Sequence, residues 1–223
     1  MKMYRLKAIF QMLNKLTADN NAARVWFYND TLGCAGFEAH LLDIEGNSCC
    51  EAYLSDLTRL FNISSNKEVL TINSVGGRLL CNDIPTCEVR ELKNPKIARN
   101  FDFNELQVVC FLSASEARRL FHRAYGACPK VNDIRNKADR ILFSIGQGVA
   151  EANYGDSGVA VGGIPTNGEV KSLYLHFRQV GLILDMLTFK MPRDTQLVIT
   201  VYEHFMHIRY GNFTFFPTFS RGL

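Results

Sequence analysis

The side chains best suited to bind a metal ion in this chain are histidines and cysteines, and their spacing disfavours such a site. His204 and His207 form an HxxH pair, but they fall in a predicted β-strand, where residues three apart point to opposite faces. One zinc ion needs both imidazoles on the same side. No two cysteines are spaced as CxxC, so a zinc ribbon is not expected. No cofactor is predicted. Apolar neighbours surround most of the cysteines, which is typical of buried, reduced thiols. The seven cysteines are Cys34, Cys49, Cys50, Cys81, Cys87, Cys110 and Cys128.

A serine between glycines offers a second candidate chemistry. The sequence GDSG at residues 155–158 is similar to the nucleophile motif of trypsin-like serine proteases, which implies a histidine base and a carboxylate earlier in the chain. His40 with Asp83 or Asp102 could fill those roles. However, the residues around His40 do not match that family's histidine motif, and Val159 stands where the family has glycine. A protease is therefore an alternative hypothesis, and a hairpin turn is the simpler interpretation of these residues.

The most pronounced charge feature is a group of arginines in the second half. Residues 1–104 carry 12 Lys and Arg against 12 Asp and Glu, whereas residues 105–223 carry 13 against 10, so the net charge of +3 arises in the second half. Arg118, Arg119 and Arg123 lie in one short segment whose single acid is Glu116. This local excess requires a structural or functional reason.

Composition excludes several classes of protein. The 223 residues, of 25.2 kDa, are 47% hydrophobic and 21% charged with a mean hydropathy of −0.04, which is typical of a globular chain and not of a disordered, collagenous or coiled-coil one. The longest apolar run, residues 180–189, is interrupted by Gly181, Asp185 and Thr188 and is shorter than the roughly 18 residues of a membrane span. The N-terminus has no apolar signal core, so we expect a soluble, intracellular protein.

Four amphipathic helices are predicted, because apolar residues recur in four places at helical spacing. The third begins with Ser113 and Glu116, a capping box that satisfies the first backbone N–H groups of a helix. Pro192 lies just past the fourth. The predicted helices cover residues 6–16, 51–61, 113–124 and a segment from about 178 to about 190.

Short β-like runs surround these helices, and the order of elements repeats. Residues 24–28 follow the first helix as residues 140–144 follow the third. Residues 69–72, 78–81 and 87–90 follow the second helix, with turns at 76–77 and 82–85, and residues 196–201, 205–209 and 213–216 follow the fourth. Helix, strands, helix, strands thus occurs twice. The polar segment 93–104 separates the two halves, which predicts domains at residues 1–92 and 105–223 joined by that connector.

A domain of about a hundred residues, used twice and joined by a long connector, resembles the DNA sliding clamps, with proliferating cell nuclear antigen and the T-even phage clamp as the nearest relatives. Residues 2–6 are similar to the opening strand, but they could equally be the start of the first helix. Residues 7–16 are similar to the first inner helix and residues 92–103 to the interdomain loop. Residues 107–123 are similar to the opening strand and first helix of the second domain, and 177–217 to the last helix, hairpin and tail. The resemblance implies an α+β fold of two tandem clamp domains, each with two helices packed on antiparallel sheets.

In clamps the helices line a central hole, so the resemblance implies that their outward faces contact duplex DNA. Basic side chains there would neutralise phosphates without reading bases, which allows sliding. The residues at such positions are Lys7, Lys15, Arg59, Arg118, Arg119, Arg123, Arg178 and Lys190. Taken one at a time, most of these residues have a simpler interpretation, because basic side chains commonly occupy the solvent-exposed face of a helix.

The family is not enzymatic, and the resemblance implies a processivity factor that tethers a DNA polymerase and other partners to DNA, with a clamp loader as a further candidate partner. Partners would dock between the connector and the tail. The partner-binding residues implied are Ile97, Phe101, Phe215, Phe216 and Pro217.

Six domains form the family's rings, so two domains per chain imply a homotrimer closed by heterologous contacts. Clamps are usually acidic, whereas this chain is mildly basic. An alternative to the ring is therefore an open monomer that binds DNA through a basic face, as herpesvirus processivity factors do. A compact, divergent clamp suggests a virus or phage. A β-rich structural or interaction protein is the remaining alternative.

Overall fold

The computed structural model describes residues 3–18, 20, 22–28, 30–40, 49–63, 72–81, 84–91, 106–130, 139–218 and 220–221. The chain divides into two compact units, Met1–Arg99 and Asn100–Leu223. The dividing point falls within residues 93–104, the predicted connector, which lies outside the described residues. The connector and the domain limits drawn on either side of it therefore stay predictions.

The first unit consists of antiparallel sheets and two helices. Its described elements are α1 (Met3–Thr17), β1 (Arg24–Tyr28), β2 (Thr31–Cys34), β3 (Phe37–His40), β4 (Cys49–Tyr53), α2 (Leu54–Ile63), β5 (Ile72–Val75), β6 (Arg78–Cys81), β7 (Ile84–Glu88) and β8 (Arg90–Glu91). One sheet has the order β3-β2-β1-β4-β8 and a second has the order β5-β6-β7.

The two helices of the first unit pack against each other through their apolar sides. Ile9, Phe10 and Leu13 of α1 are buried at helical spacing, and so are Leu57 and Phe61 of α2. The rings of Phe10 and Phe61 stack with their centroids 5.3 Å apart. This burial, of the order of 1.5–3 kcal/mol for each large apolar side chain, leaves the polar sides of both helices facing outward.

The second unit repeats the arrangement with longer strands. Its described elements are β9 (Leu106–Ser113), α3 (Ala114–Ala127), β10 (Arg140–Gly146), β11 (Val149–Tyr154), β12 (Ser157–Gly162), β13 (Thr166–Gly168), β14 (Lys171–His176), α4 (Phe177–Met186), β15 (Gln196–Tyr202), β16 (Met206–Tyr210), β17 (Phe213–Phe215) and β18 (Ser220–Arg221). One sheet has the order β13-β9-β15-β16-β17 and the other β12-β11-β10-β14-β18, with all pairs antiparallel.

The core of the second unit lies between these sheets and the inner sides of α3 and α4. α3 contacts β11 and β12, α4 contacts β10 and β14, and the two helices contact each other. Phe121 of α3 lies 5.4 Å from Phe143 of β10, measured between ring centroids, and both are fully buried. The helices and strands of this unit therefore bury their apolar sides in the same core. Along β9 and β10 the buried residues alternate with less buried ones.

The fold class is as predicted: the chain is α+β, and each unit carries two helices on antiparallel sheets. The predicted strands at residues 24–28 and 78–81 match β1 and β6, and residues 107–112 lie within β9. The capping box of α3 is present, with Ser113 Oγ accepting the backbone N–H of Glu116 at 3.2 Å. Glu116 Oε2 in return accepts the backbone N–H of Ser113 at 2.8 Å.

The opening strand expected at residues 2–6 is wrong for every residue of it that the structure describes, because α1 already begins at Met3. Leu6 continues the buried stripe of Ile9 and Phe10 back by one turn, and residues 3–5 contain no Gly or Pro to end a helix.

The limits of α2 and α4 also differ from the prediction. α2 begins at Leu54, not at residue 51, because residues 49–53 pair with β1 as strand β4. α4 ends at Met186, short of residue 190, because Thr188 donates its hydroxyl to the Asp185 carbonyl at 2.7 Å and closes a tight turn there. Competition of this kind for backbone carbonyls is typical of Ser and Thr.

Two predicted turns have different outcomes. Residues 155–156 form the turn between β11 and β12, as the hairpin interpretation of GDSG requires, and Gly155 has a positive φ of 53°. The turn expected at residues 82–85 is wrong for Ile84 and Pro85, which belong to β7, and residues 82–83 lie outside the described residues. β7 lies at the end of its sheet, where proline is tolerated because no ladder hydrogen bond is lost. Among the helices that the structure describes, none has the length and apolar character of a membrane span.

Candidate nucleic-acid interface

The basic charge of the chain is concentrated on its helices. Helices α1 to α4 carry eight Lys and Arg residues against three Asp and Glu. The whole chain has 25 against 22, which leaves 17 against 19 for the rest. The mild overall basicity therefore belongs to the helices, and the remainder of the chain is slightly acidic.

In the first unit, α1 and α2 present three predicted DNA-binding residues. Lys15 and Arg59 are exposed and Lys7 is half-buried. The polar sides of the two helices are tied together by Asn14, whose Nδ2 donates to Thr58 Oγ1 at 3.0 Å. The contact is between two neutral side chains and uses none of the cationic groups of either helix.

In the second unit, α3 carries the arginine group on the side opposite its buried stripe. The stripe consists of Ala117, Leu120, Phe121 and Ala124. Arg119 and Arg123 are exposed, as is His122 between them. The exposed side of α3 is therefore cationic over about two turns.

Arg118 differs from its neighbours, because it reaches across to α4. Its Nη2 donates to the carbonyl oxygen of Leu187 at 2.9 Å, and Leu187 is the C-cap of α4, directly after its last residue Met186. A cation at a helix C-terminus is favourable because the last carbonyls carry partial negative charge. Sequence spacing places Arg118 with Arg119 and Arg123, but it gives no signal for this bond across 69 residues.

The two remaining predicted contacts lie at the ends of α4. Arg178, in its first turn, is half-buried with its guanidinium 5.3 Å from the centroid of the Phe177 ring. Lys190 is exposed but lies beyond the end of α4, which stops at Met186. Arg178 is thus less exposed than Arg119 and Arg123 of α3, and Lys190 lies outside the helix to which it was assigned.

The start of α4 contains a network that the sequence interpretation missed. His176 is the N-cap, and its Nδ1 accepts the backbone N–H of Arg178 at 3.1 Å. Gln179 Oε1 accepts the backbone N–H of His176 at 3.0 Å, and Gln179 Nε2 donates to Thr218 Oγ1 at 2.9 Å. A glutamine three residues after the cap is a capping-box signal, but histidine replaces the usual serine or threonine.

The predicted partner-binding residues of the tail do not form one exposed surface. Phe215 is 1% exposed and belongs to the core, and Pro217 is also buried. Phe216 is half-buried and stacks on His207, with ring centroids 4.8 Å apart and planes 5° from parallel. Ile97 and Phe101 lie outside the described residues, so their placement relative to the tail stays a prediction.

The residues of the alternative chemistries that the structure describes have other neighbours. His40 Nδ1 lies 3.1 Å from Thr31 Oγ1, its neighbour on the adjacent strand, and Ser157 belongs to a β-hairpin. Asp83 and Asp102 lie outside the described residues. Among the described residues no cluster of three His, Cys, Asp or Glu side chains is placed to hold a metal ion.

The described thiols behave as small apolar groups. Cys34, Cys50, Cys110 and Cys128 are buried and unbridged. Burial raises the pKa of Cys34 and Cys50 to about 11 and that of Cys110 to about 12, and a protonated thiol is a poor nucleophile or metal ligand.

No protein-family model matches the sequence, and no curated protein matches it. Solved structures do match its fold. A DNA polymerase sliding clamp from Pseudomonas aeruginosa is similar over 100% of this chain and 64% of its own, with a TM-score of 0.72 and 14% identity. A Helicobacter pylori beta clamp bound to a DNA ligase peptide gives a TM-score of 0.73 at 11% identity, over 100% and 66% of the two chains. A putative DNA polymerase III beta subunit from Eubacterium rectale gives 0.69 at 12% identity, over 100% and 64%.

These identities establish a shared fold alone. The chain spans about 64% of the length of the first clamps that it matches, and its whole length takes part in the match. Both units, with the four helices described above, are therefore included in the similarity.

Proposed function

We propose that this chain, which has the fold of DNA sliding clamps, is a processivity factor that holds duplex DNA without sequence preference and tethers a polymerase to it. The observation that carries the proposal is the charge distribution: the helices hold eight basic against three acidic residues, and the rest of the chain is slightly acidic. In this fold the helices are the elements that the resemblance places towards DNA.

The chemistry of these residues suits a sliding contact. Exposed arginines and lysines pair with phosphates, and such contacts carry no sequence information. They also release condensed counterions, so binding weakens steeply as salt rises. Arg119 and Arg123, exposed on α3, and Lys15 and Arg59, exposed in the first unit, are the best-placed contributors.

A closed ring requires more than one copy of this chain. Six domains per ring, as the resemblance implies, require three copies with two units each, joined head to tail. β12 supports such a contact, because it is the end strand of its sheet and its six residues, SGVAVG, carry no charge. An uncharged end strand presents unpaired backbone groups to a strand of another chain.

Protein partners would dock on the tail. Phe216 and His207 form a flat, half-buried aromatic pair on the β16–β17 hairpin, which suits an apolar peptide side chain. The ligase peptide on the Helicobacter pylori clamp supports peptide docking as the mode of recruitment. A DNA polymerase is the expected principal partner, and a clamp loader a further one. We propose no catalytic activity for the chain.

The test measures binding to a labelled linear duplex of mixed sequence over a series of salt concentrations, with retention on nicked circular DNA measured in parallel. We expect affinity to fall linearly with salt on logarithmic axes, and Arg119→Glu with Arg123→Glu to weaken binding strongly. Arg209→Glu, on the exposed side of β16, is the matched control for charge. Retention on circular but not on linearised DNA would indicate a closed ring.

Other outcomes separate the alternatives. Binding to DNA by a monomer, with equal loss from circular and linear DNA, would favour the open grip. No DNA binding at low salt by the folded chain would refute the proposal and favour a structural or interaction protein.

A further inference from the structure

We propose that Arg118 is a positioning residue: its guanidinium holds the C-terminal end of α4 against α3, which orients the cationic side of α3, and Arg118 does not itself bind phosphate. The inference rests on the proposed function, since it assigns separate roles within the group of three arginines. Arg119 and Arg123 are then the phosphate contacts of α3.

The first observation is the partner that Arg118 already has. Nη2 donates to the Leu187 carbonyl oxygen at 2.9 Å. Carbonyls in the last turn of a helix lack partners within the helix, and their partial negative charge attracts a guanidinium. The bond occupies one of the five N–H donors of the guanidinium and holds the side chain at the end of α4.

The second observation is the direction in which Arg118 leaves α3. Tyr125 lies seven residues later and hence on the same side of the helix. Its ring packs on Gly181 of α4, so closely that a Cβ on Gly181 would lie 3.2 Å from it. Arg118 meets α4 at Leu187, its C-terminal end, and Tyr125 meets it at Gly181, near its middle, so the two helices run antiparallel.

The third observation is the position of the other two arginines. At about 100° per residue, Arg119 lies about 100° and Arg123 about 140° around α3 from Arg118, away from the side that meets α4. The charge of Arg118 also acts on Tyr210 of β16, where it opposes the rise in the pKa of the phenol that burial causes. All three arginines are exposed, but the guanidinium of Arg118 is bonded to the end of α4, whereas Arg119 and Arg123 lie on the part of α3 that is turned away from α4.

In the first unit, α1 and α2 are joined by a different pair of residues. Asn14 of α1 donates to Thr58 of α2 at 3.0 Å, a bond between neutral side chains. Each unit therefore has a polar bond that ties its two helices, between Asn14 and Thr58 in the first unit and between Arg118 and Leu187 in the second.

The test compares Arg118→Met and Arg118→Gln with Arg119→Met, Arg123→Met and the surface control Arg209→Met. Binding of the full chain to a labelled linear duplex of mixed sequence is measured over a salt series, after circular dichroism has shown each variant to be folded. A phosphate contact contributes about 0.9 to the slope of log affinity against log salt. We expect Arg119→Met and Arg123→Met each to reduce the slope by about that amount.

For Arg118→Met we expect several-fold weaker binding with the slope of the unaltered chain. A slope reduced as in Arg119→Met would show direct phosphate contact and overturn the inference. Unchanged affinity would show a role in folding alone and would also overturn it. If Arg118→Met does not fold, Arg118→Gln, which keeps a donor without the charge, decides by its slope. Failure of the proposed function is distinct, because Arg119→Met and Arg123→Met would then alter neither affinity nor slope.

Discussion

His176 and Asp139 form an ion-pair geometry at the start of α4, with His176 Nε2 3.1 Å from Asp139 Oδ2. Asp139 is buried and His176 is half-buried. Nδ1 accepts the N–H of Arg178, so the neutral ring carries its proton on Nε2, towards the carboxylate. Burial lowers the pKa of His176 against the opposing charge of Asp139. The ring therefore serves as a neutral helix cap that also satisfies a buried carboxylate.

Replacing His176 separates these two roles. His176→Ala removes the N-cap, which costs about 0.5–2 kcal/mol, and leaves the Asp139 carboxylate without this donor, which costs about 1–3 kcal/mol more. His176→Asn restores a good cap and lacks only the donor to Asp139. We expect urea denaturation to give the stability order unaltered chain, His176→Asn, His176→Ala. Equal stability of His176→Ala and the unaltered chain would show that the network carries no stability.

His207 makes stability depend on pH. Burial lowers its pKa from 6.5 to about 4, with Arg209 contributing in the same direction. Because the unfolded chain binds this proton more readily, stability is full above about pH 6.5 and falls as pH decreases towards 4. His176, whose pKa is also lowered, adds to the same trend. We expect the thermal midpoint to fall over this range.

The variant that isolates His207 is His207→Phe, which preserves an aromatic ring against Phe216. The fall of the thermal midpoint between pH 6.5 and 4 should become shallower in this variant. A pH profile identical to that of the unaltered chain would show that His207 is not the responsible group. His122, exposed on α3, provides a control in His122→Phe, which should not flatten the profile.

The edge of β12 predicts how the chain assembles. Ala160 is exposed and lies in the middle of β12, paired with Glu151 of β11. A lysine there opposes pairing with a further strand, as charged side chains do on natural sheet edges. We expect light scattering to give a mass near three times 25.2 kDa for the unaltered chain and a smaller mass for Ala160→Lys. The exposed Thr188→Lys, away from β12, is the control. A trimer that persists in Ala160→Lys would exclude β12 as the interface.

Periodic patterns made most of the fold predictable from the sequence. Buried residues of α3 recur every three or four positions, and Ser113 with Glu116 marks its start, so both its side and its beginning follow from local rules. Along β9 buried residues alternate with less buried ones, so a local pattern also identifies this strand and its buried side. The tandem order of elements then indicated the fold, since each half repeats one arrangement of local signals.

What the sequence could not supply depends on contacts between distant residues. Residues 49–53 become a strand only because β1 lies beside them, and residues 3–5 extend α1 because Leu6 finds a buried site. Arg118 is indistinguishable from Arg119 in sequence until Leu187 is placed next to it. Phe215 and Phe216 are likewise adjacent and alike in type, but Phe215 is the last residue of β17, paired with the buried Ile208, and Phe216 lies just past that strand.

Phe215 and Phe216 provide a matched pair for the partner site. Phe215 is 1% exposed, and Phe215→Ala should destabilise the chain by about 3–5 kcal/mol, the usual cost of deleting a buried aromatic ring. Phe216 is half-buried against His207, so Phe216→Ala should cost less stability but should weaken recruitment of a polymerase. The measurements are urea denaturation of each variant and primer extension by a DNA polymerase from the same source, with and without the chain added. Full stimulation of the polymerase by a folded Phe216→Ala chain would place the docking site elsewhere, whereas lost stimulation with DNA binding intact would assign it to the tail.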